Sequence, residues 1–127
     1  MKLFHFDNGI EVKMPDNWKV EEEGNVVSLY DPENGVGALQ FSIYKANSSS
    51  INVSDELEDY IDDKHEHLDI KQISNYAYCD IIDEDDVYWR YWLFLKMDDV
   101  VFVSYNCDET DKNHEYDLIN DIIESVI

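Results

Sequence analysis

Val87-Tyr88-Trp89-Arg90-Tyr91-Trp92-Leu93-Phe94-Leu95-Lys96-Met97 interleaves two sets of large side chains. Its even positions are Tyr88, Arg90, Trp92, Phe94 and Lys96, and its odd ones Val87, Trp89, Tyr91, Leu93, Leu95 and Met97. Successive residues of a strand point to opposite faces, so both faces of this one are largely apolar. Such a strand is covered on both sides, and the segment is expected in the middle of a sheet. Acidic turns bound it, Asp83-Glu84-Asp85-Asp86 before and Asp98-Asp99 after. They predict hairpins to neighbouring strands at about 73–82 and 100–107.

Further upstream the same logic applies. Strands are expected at 2–6 and 10–14, joined by Asp7-Asn8-Gly9, whose Asn-Gly pair suits a tight turn. Another alternates at 25–30, with Val27 and Leu29 on one face. Asp31-Pro32-Glu33-Asn34-Gly35 is a turn in which proline presets φ and glycine is expected to take a conformation other residues avoid. A strand at 37–45 places Leu39, Phe41 and Ile43 together. Ser54 is expected to cap a helix whose apolar stripe is Leu57, Tyr60, Ile61 and Leu68. The chain closes on a helix at about 113–126, capped by Thr110 or Asp111, with Tyr116, Ile119, Ile122, Ile123 and Val126 on one face. The order is ββββ-α-βββ-α. It predicts a single α+β domain over residues 1–127, an antiparallel sheet of about six or seven strands with helices packed on it.

Three stretches together resemble a known family. Pro15-Asp16-Asn17-Trp18-Lys19-Val20, then Val27-Ser28-Leu29-Tyr30-Asp31-Pro32-Glu33-Asn34-Gly35, then Leu39-Gln40-Phe41-Ser42-Ile43 are similar to the opening of PsbP-like domains. That fold is shared by a photosystem II subunit, a Ran-binding nuclear import factor and small bacterial cytoplasmic families of unknown function. The resemblance implies the fold. Its motifs are turn and packing residues, so it transfers no functional residue.

Composition narrows the function. With 44% hydrophobic and 13% aromatic residues, the 127-residue chain buries a core and is no disordered tail. No apolar run approaches the roughly 20 residues of a spanning helix. Met1-Lys2-Leu3-Phe4-His5-Phe6-Asp7 has no apolar signal core, so the cytoplasm is the expected compartment. Cys79 and Cys107 are accordingly expected to be reduced and buried. Thirty acids against nine bases give a net charge of −21. Residues 1–50 contribute −4, and residues 51–127, with 22 acids and five bases, contribute −17. A field of that sign repels nucleic acid and anionic membrane and attracts a basic partner.

Chemistry is sparse. His65-Glu66-His67 has metal-ligand residue types, but histidines two apart on a helix point some 200° apart and cannot share one ion. The acidic turns lack the alternating oxygens and glycine of a calcium loop. No glycine-rich phosphate loop is present, and no local pattern ties either cysteine to a histidine base. These absences predict no metal, no cofactor and no catalytic residue, and point away from an enzyme. The leading expectation is a binding protein docking a basic macromolecule, such as an immunity-type neutraliser of a cationic toxin or nuclease. Its surface would comprise Glu58, Asp62, Asp83, Glu84, Asp85, Asp86, Asp98 and Asp99, chosen for density of charge. The alternative is a small-ligand or enzymatic pocket between sheet and helices, lined by Tyr78, Trp89 and Trp92. Tyr76, Tyr78, Tyr88, Trp92 and Tyr105 share neighbouring strands and are expected as core beneath a helix. Arg90 and Lys96 would rim that face or meet acids across strands.

Overall fold

A computed structural model describes residues 1–47, 50–61 and 69–127. Along the chain run β1 (Lys2–His5), β2 (Glu11–Met14), β3 (Lys19–Glu23), β4 (Val26–Tyr30), β5 (Ala38–Lys45) and α1 (Val53–Ile61). Then come β6 (Lys71–Ile73), β7 (Tyr76–Ile82), β8 (Val87–Lys96), β9 (Asp99–Asp108), a 3-10 turn at Glu109–Asp111, and α2 (Tyr116–Val126). β1 and β2 form a separate hairpin. The other seven strands make one antiparallel sheet in the order β3-β4-β5-β9-β8-β7-β6.

β8 is an interior strand covered on both faces, as its two apolar sets require. Tyr88, Trp92 and Phe94 join Leu29, Leu39, Phe41, Val101 and Val103 in a core roofed by the β1–β2 hairpin and by Ile119, Ile122, Ile123 and Val126 of α2. Tyr91 and Leu93 join Ala77, Cys79, Val100 and Phe102 in a second core beneath Val53, Leu57 and Ile61 of α1. The central position, however, belongs to β9, flanked by β5 and β8. Its unbroken Val100-Val101-Phe102-Val103 is what a strand sheltered on both sides looks like in sequence.

Two strands lie beyond those expected. β3 holds one aliphatic residue, Val20, and three glutamates, so it lacks the alternation that marks a half-buried strand. It is a sheet edge, where charge discourages pairing with another chain. The strand expected at 73–82 begins as a hairpin: Ser74 takes a φ of 54° and turns β6 back onto β7.

Local details differ as well. Asn52, not Ser54, caps α1. Its Oδ1 accepts the amides of Ser54 at 3.0 Å and Asp55 at 3.1 Å, while the Ser54 hydroxyl donates to Gln72 Oε1 at 2.7 Å. Gly35 is not left-handed. It is needed for space, because a Cβ there would stand 2.4 Å from the Asp31 carbonyl oxygen. α2 starts at Tyr116, and Thr110 and Asp111 belong to the 3-10 turn capped by Asp108. Glu115 anchors the start of α2: buried, it accepts Tyr105 Oη–H at 2.8 Å and the Val36 amide at 3.3 Å. Leu68 and the His65-Glu66-His67 cluster lie outside the described residues.

Cys79 and Cys107 are free and buried, on opposite faces of the sheet. Burial, reinforced by Asp80, pushes the Cys79 thiol up from 9.0 to about 12, and burial raises Cys107 as well. The thiolate is the reactive species. Neither thiol should therefore react with a disulfide reagent at pH 8 until the chain is unfolded in denaturant. Fast modification of either in the native protein would contradict this burial. The folded value lies above the unfolded one, so this contribution to stability holds below about pH 9 and is lost as pH rises toward 12.

Candidate functional site

The acidic residues do not form one surface. β8 has ten residues, and at about 3.3 Å each its two flanking turns stand roughly 30 Å apart. Asp83–Asp86 thus occupy one end of the sheet and Asp98-Asp99 the other. Glu58 is exposed on α1, over the face opposite α2, and Asp62 lies outside the described residues.

Two of the eight are engaged within the fold. Asp83 shapes its turn: Oδ1 accepts the amides of Asp85 at 2.9 Å and Val87 at 3.1 Å, and Oδ2 accepts Trp89 Nε1–H at 2.9 Å. Asp99 is 4% exposed, with Asn8 Nδ2 donating to it at 2.8 Å and the Lys45 ammonium 3.3 Å away. A residue chosen for charge density alone proves here to be a buried group, because its place in the β5–β9 register sets it beneath the β1–β2 turn.

Glu84, Asp85 and Asp86 are exposed at the first end. Beside them the structure places three acids that the density argument passed over, Asp108, Glu109 and Asp111. The Glu109 amide donates to the Asp86 carbonyl at 2.9 Å, and Val87 pairs with Asp108, so the β7–β8 turn and the 3-10 turn adjoin. Asp108 accepts both the amide and the hydroxyl of Thr110, which hold its carboxyl below its ordinary value. Among the described residues none of these six carboxylates has an ion-pair partner. The result is a single acidic end built from segments some 20 residues apart in sequence.

The trio Tyr78, Trp89 and Trp92 is divided by the sheet. Trp89 lies on the α1 side, stacked on Tyr91 with ring centroids 5.8 Å apart. Tyr78 and Trp92 lie on the α2 side and line a groove of about 200 Å³ with Ile73, Tyr76, Asn120 and Ile123. That is smaller than the 300–1,000 Å³ usual for a ligand site. Arg90 packs against its floor. The guanidinium carbon stands 5.2 Å from the rings of Tyr78, Trp92 and Tyr116, and Nη1 reaches Asp80 at 3.2 Å and Tyr116 Oη at 3.1 Å. Arg90 thus meets an acid directly across the strand pair, while Lys96 donates to the Ile127 carbonyl at 3.5 Å. Tyr88, Trp92 and Tyr105 are core. Burial pushes Tyr88 up to about 12, and burial with the Glu115 hydrogen bond raises Tyr105 further. Among the described residues no three His, Cys, Asp or Glu side chains are gathered to hold a metal ion, and no helix is long and apolar enough to cross a membrane.

No family model and no curated protein matches the sequence. Solved structures do match. The cyanobacterial PsbP of Synechocystis is similar with a TM-score of 0.70 at 10% identity, over 98% of this chain and 89% of its own. The Ran-binding protein Mog1p of Saccharomyces cerevisiae is similar at 0.65 and 11%, over 98% and 93%. A protein of Bacteroides thetaiotaomicron reaches 0.60 at 16%, over 91% of this chain. This chain spans only 43% of that Bacteroides protein. At such identities the likeness is one of fold, and the fold is PsbP-like.

Proposed function

We propose that this chain is a non-enzymatic, cytoplasmic binding protein that docks a basic macromolecule at its acidic end, as an immunity-type neutraliser docks a cationic toxin or nuclease. The observation that carries the reading is the joining of two acidic turns by the Glu109–Asp86 hydrogen bond, which concentrates Glu84, Asp85, Asp86, Asp108, Glu109 and Asp111 with no internal counter-charge among the described residues. A concentrated field of one sign raises the encounter rate with a partner of the other. That another protein of this fold is a Ran-binding protein supports protein docking as a use of the architecture. The small size of the groove at Tyr78 and Trp92 weighs against a ligand pocket there.

Immobilised protein should retain a basic partner at about 20 mM salt and release it at about 500 mM, where the screening length falls to a few ångströms. Recovery of no basic protein at low salt, or retention indifferent to salt, defeats the reading.

A further inference from the structure

A cleft lies at the opposite end of the sheet from the Asp83–Asp86 turn, and we infer that it is a binding site for a primary ammonium carried on an apolar chain. About 470 Å³ in volume, it sits under the β1–β2 turn within the size range of ligand sites. The strand register builds it. Glu22 pairs with Val27 and Val27 with Phe41, so a carboxylate and two apolar side chains cross β3, β4 and β5 in one row. Ile43 and Lys45 follow Phe41 on the same face, and Phe6 closes the floor with its ring 5.2 Å from that of Phe41.

Asp99 supplies the recognition element. Its side chain is 6% exposed, whereas Lys45, directly opposite it across the strands, is 80% exposed. Asn8 Nδ2 fixes one carboxylate oxygen at 2.8 Å, and the Lys45 ammonium meets the other at 3.3 Å. An ordinary cross-strand ion pair leaves both partners in water. Here the acid is fixed and buried while its cation is free to swing away, so Lys45 is the chain's own stand-in for a ligand cation. With Glu22 and Asp7 also on the wall, the cleft carries three carboxylates against one ammonium, and a second cation is favoured over any anion. The apolar row suits the methylene chain of such a ligand, as lysine stems lie along apolar surface. Two sources share this chemistry, a free amine and the lysine side chain of a protein.

The test is an amide NMR titration of the intact protein with n-hexylammonium chloride, with the blocked tripeptide acetyl-Gly-Lys-Gly-amide, and with neutral n-hexanol. Saturable shifts at Asn8, Gly24, Asn25 and Lys45 are expected from one or both cations, and binding by hexanol at least tenfold weaker, roughly the worth of a charged hydrogen bond. Tighter binding of hexylammonium assigns a free amine, and tighter binding of the peptide assigns a protein side chain. Lys45→Met keeps the stem and removes the competing cation, so it should tighten binding about tenfold. Asp99→Asn should abolish it. Should Asp99→Asn fail to fold, the Lys45→Met and hexanol arms decide alone. No saturable shift from either cation at about 50 mM, hexanol binding as well as hexylammonium, or weaker binding by Lys45→Met overturns the site.

Discussion

Trp92→Ala is expected to lower the unfolding free energy by about 3–5 kcal/mol, the usual cost of deleting a fully buried tryptophan. A domain of this size holds about 5–15 kcal/mol in all, so the variant should be marginal at 37 °C. Trp92 is 2% exposed, opposite Tyr78 on β7 and Val103 on β9, in the core roofed by Ile119, Ile122 and Ile123 of α2. Its ring is also one of the three against which Arg90 packs. Trp89, three residues earlier on the same strand, is the control. It is half-buried on the other face, where its Nε1–H donates to Asp83 and its ring stacks on Tyr91. Trp89→Ala should cost about 1–2 kcal/mol, within the range for one hydrogen bond and partial burial. Urea unfolding of the two variants compares them directly. Equal losses, or a larger one at Trp89, would mean that the two faces of β8 have been assigned the wrong way round.

That the faces could be assigned at all follows from the alternation in 87–97, which needs only the period of a strand to be legible. Position within the sheet was harder. An apolar face shows that a strand is covered, not how many strands flank it, and β9 takes the centre because β5 returns to it across a separation of some 60 residues. β3 was illegible for a different reason: an edge strand of Lys19-Val20-Glu21-Glu22-Glu23 is selected for charge, and charge erases the pattern that betrays strands. The acidic end was half legible. Charge density singled out Asp83–Asp86, but density weights residues by sequence and takes no account of register. A hairpin centred between Met97 and Asp98 sets Val87 opposite Asp108, so counting along the strands from that turn would have found Asp108, Glu109 and Asp111. The same count sets Lys45 against Asp99 only once β5 is known to lie beside β9, and no local feature of the sequence says so.

Reversing charge at the acidic end should slow association with the basic partner by between about tenfold and a thousandfold while leaving dissociation almost unchanged, because steering acts on encounter. The variant to use is Glu84→Lys with Asp85→Lys and Glu109→Lys. Asp86 is better spared, since its φ of 59° is one that lysine adopts poorly. None of the three replaced side chains serves the fold through a hydrogen bond or ion pair of its own among the described residues, and relief of like-charge repulsion should if anything stabilise the protein. The discriminating control is Asp98→Lys at the far turn, which alters charge by the same amount per residue. Roughly 30 Å of separation is about three screening lengths at 0.1 M salt, so this change should leave the association rate within about twofold. Stopped-flow association at several ionic strengths reads both. A triple variant that associates as fast as the wild type would remove the acidic end from the interaction. Asp98→Lys changes the net charge by a third as much as the triple variant, so a loss of about one third on a logarithmic scale would show that net charge alone drives encounter and that the adjoining turns confer nothing by their arrangement.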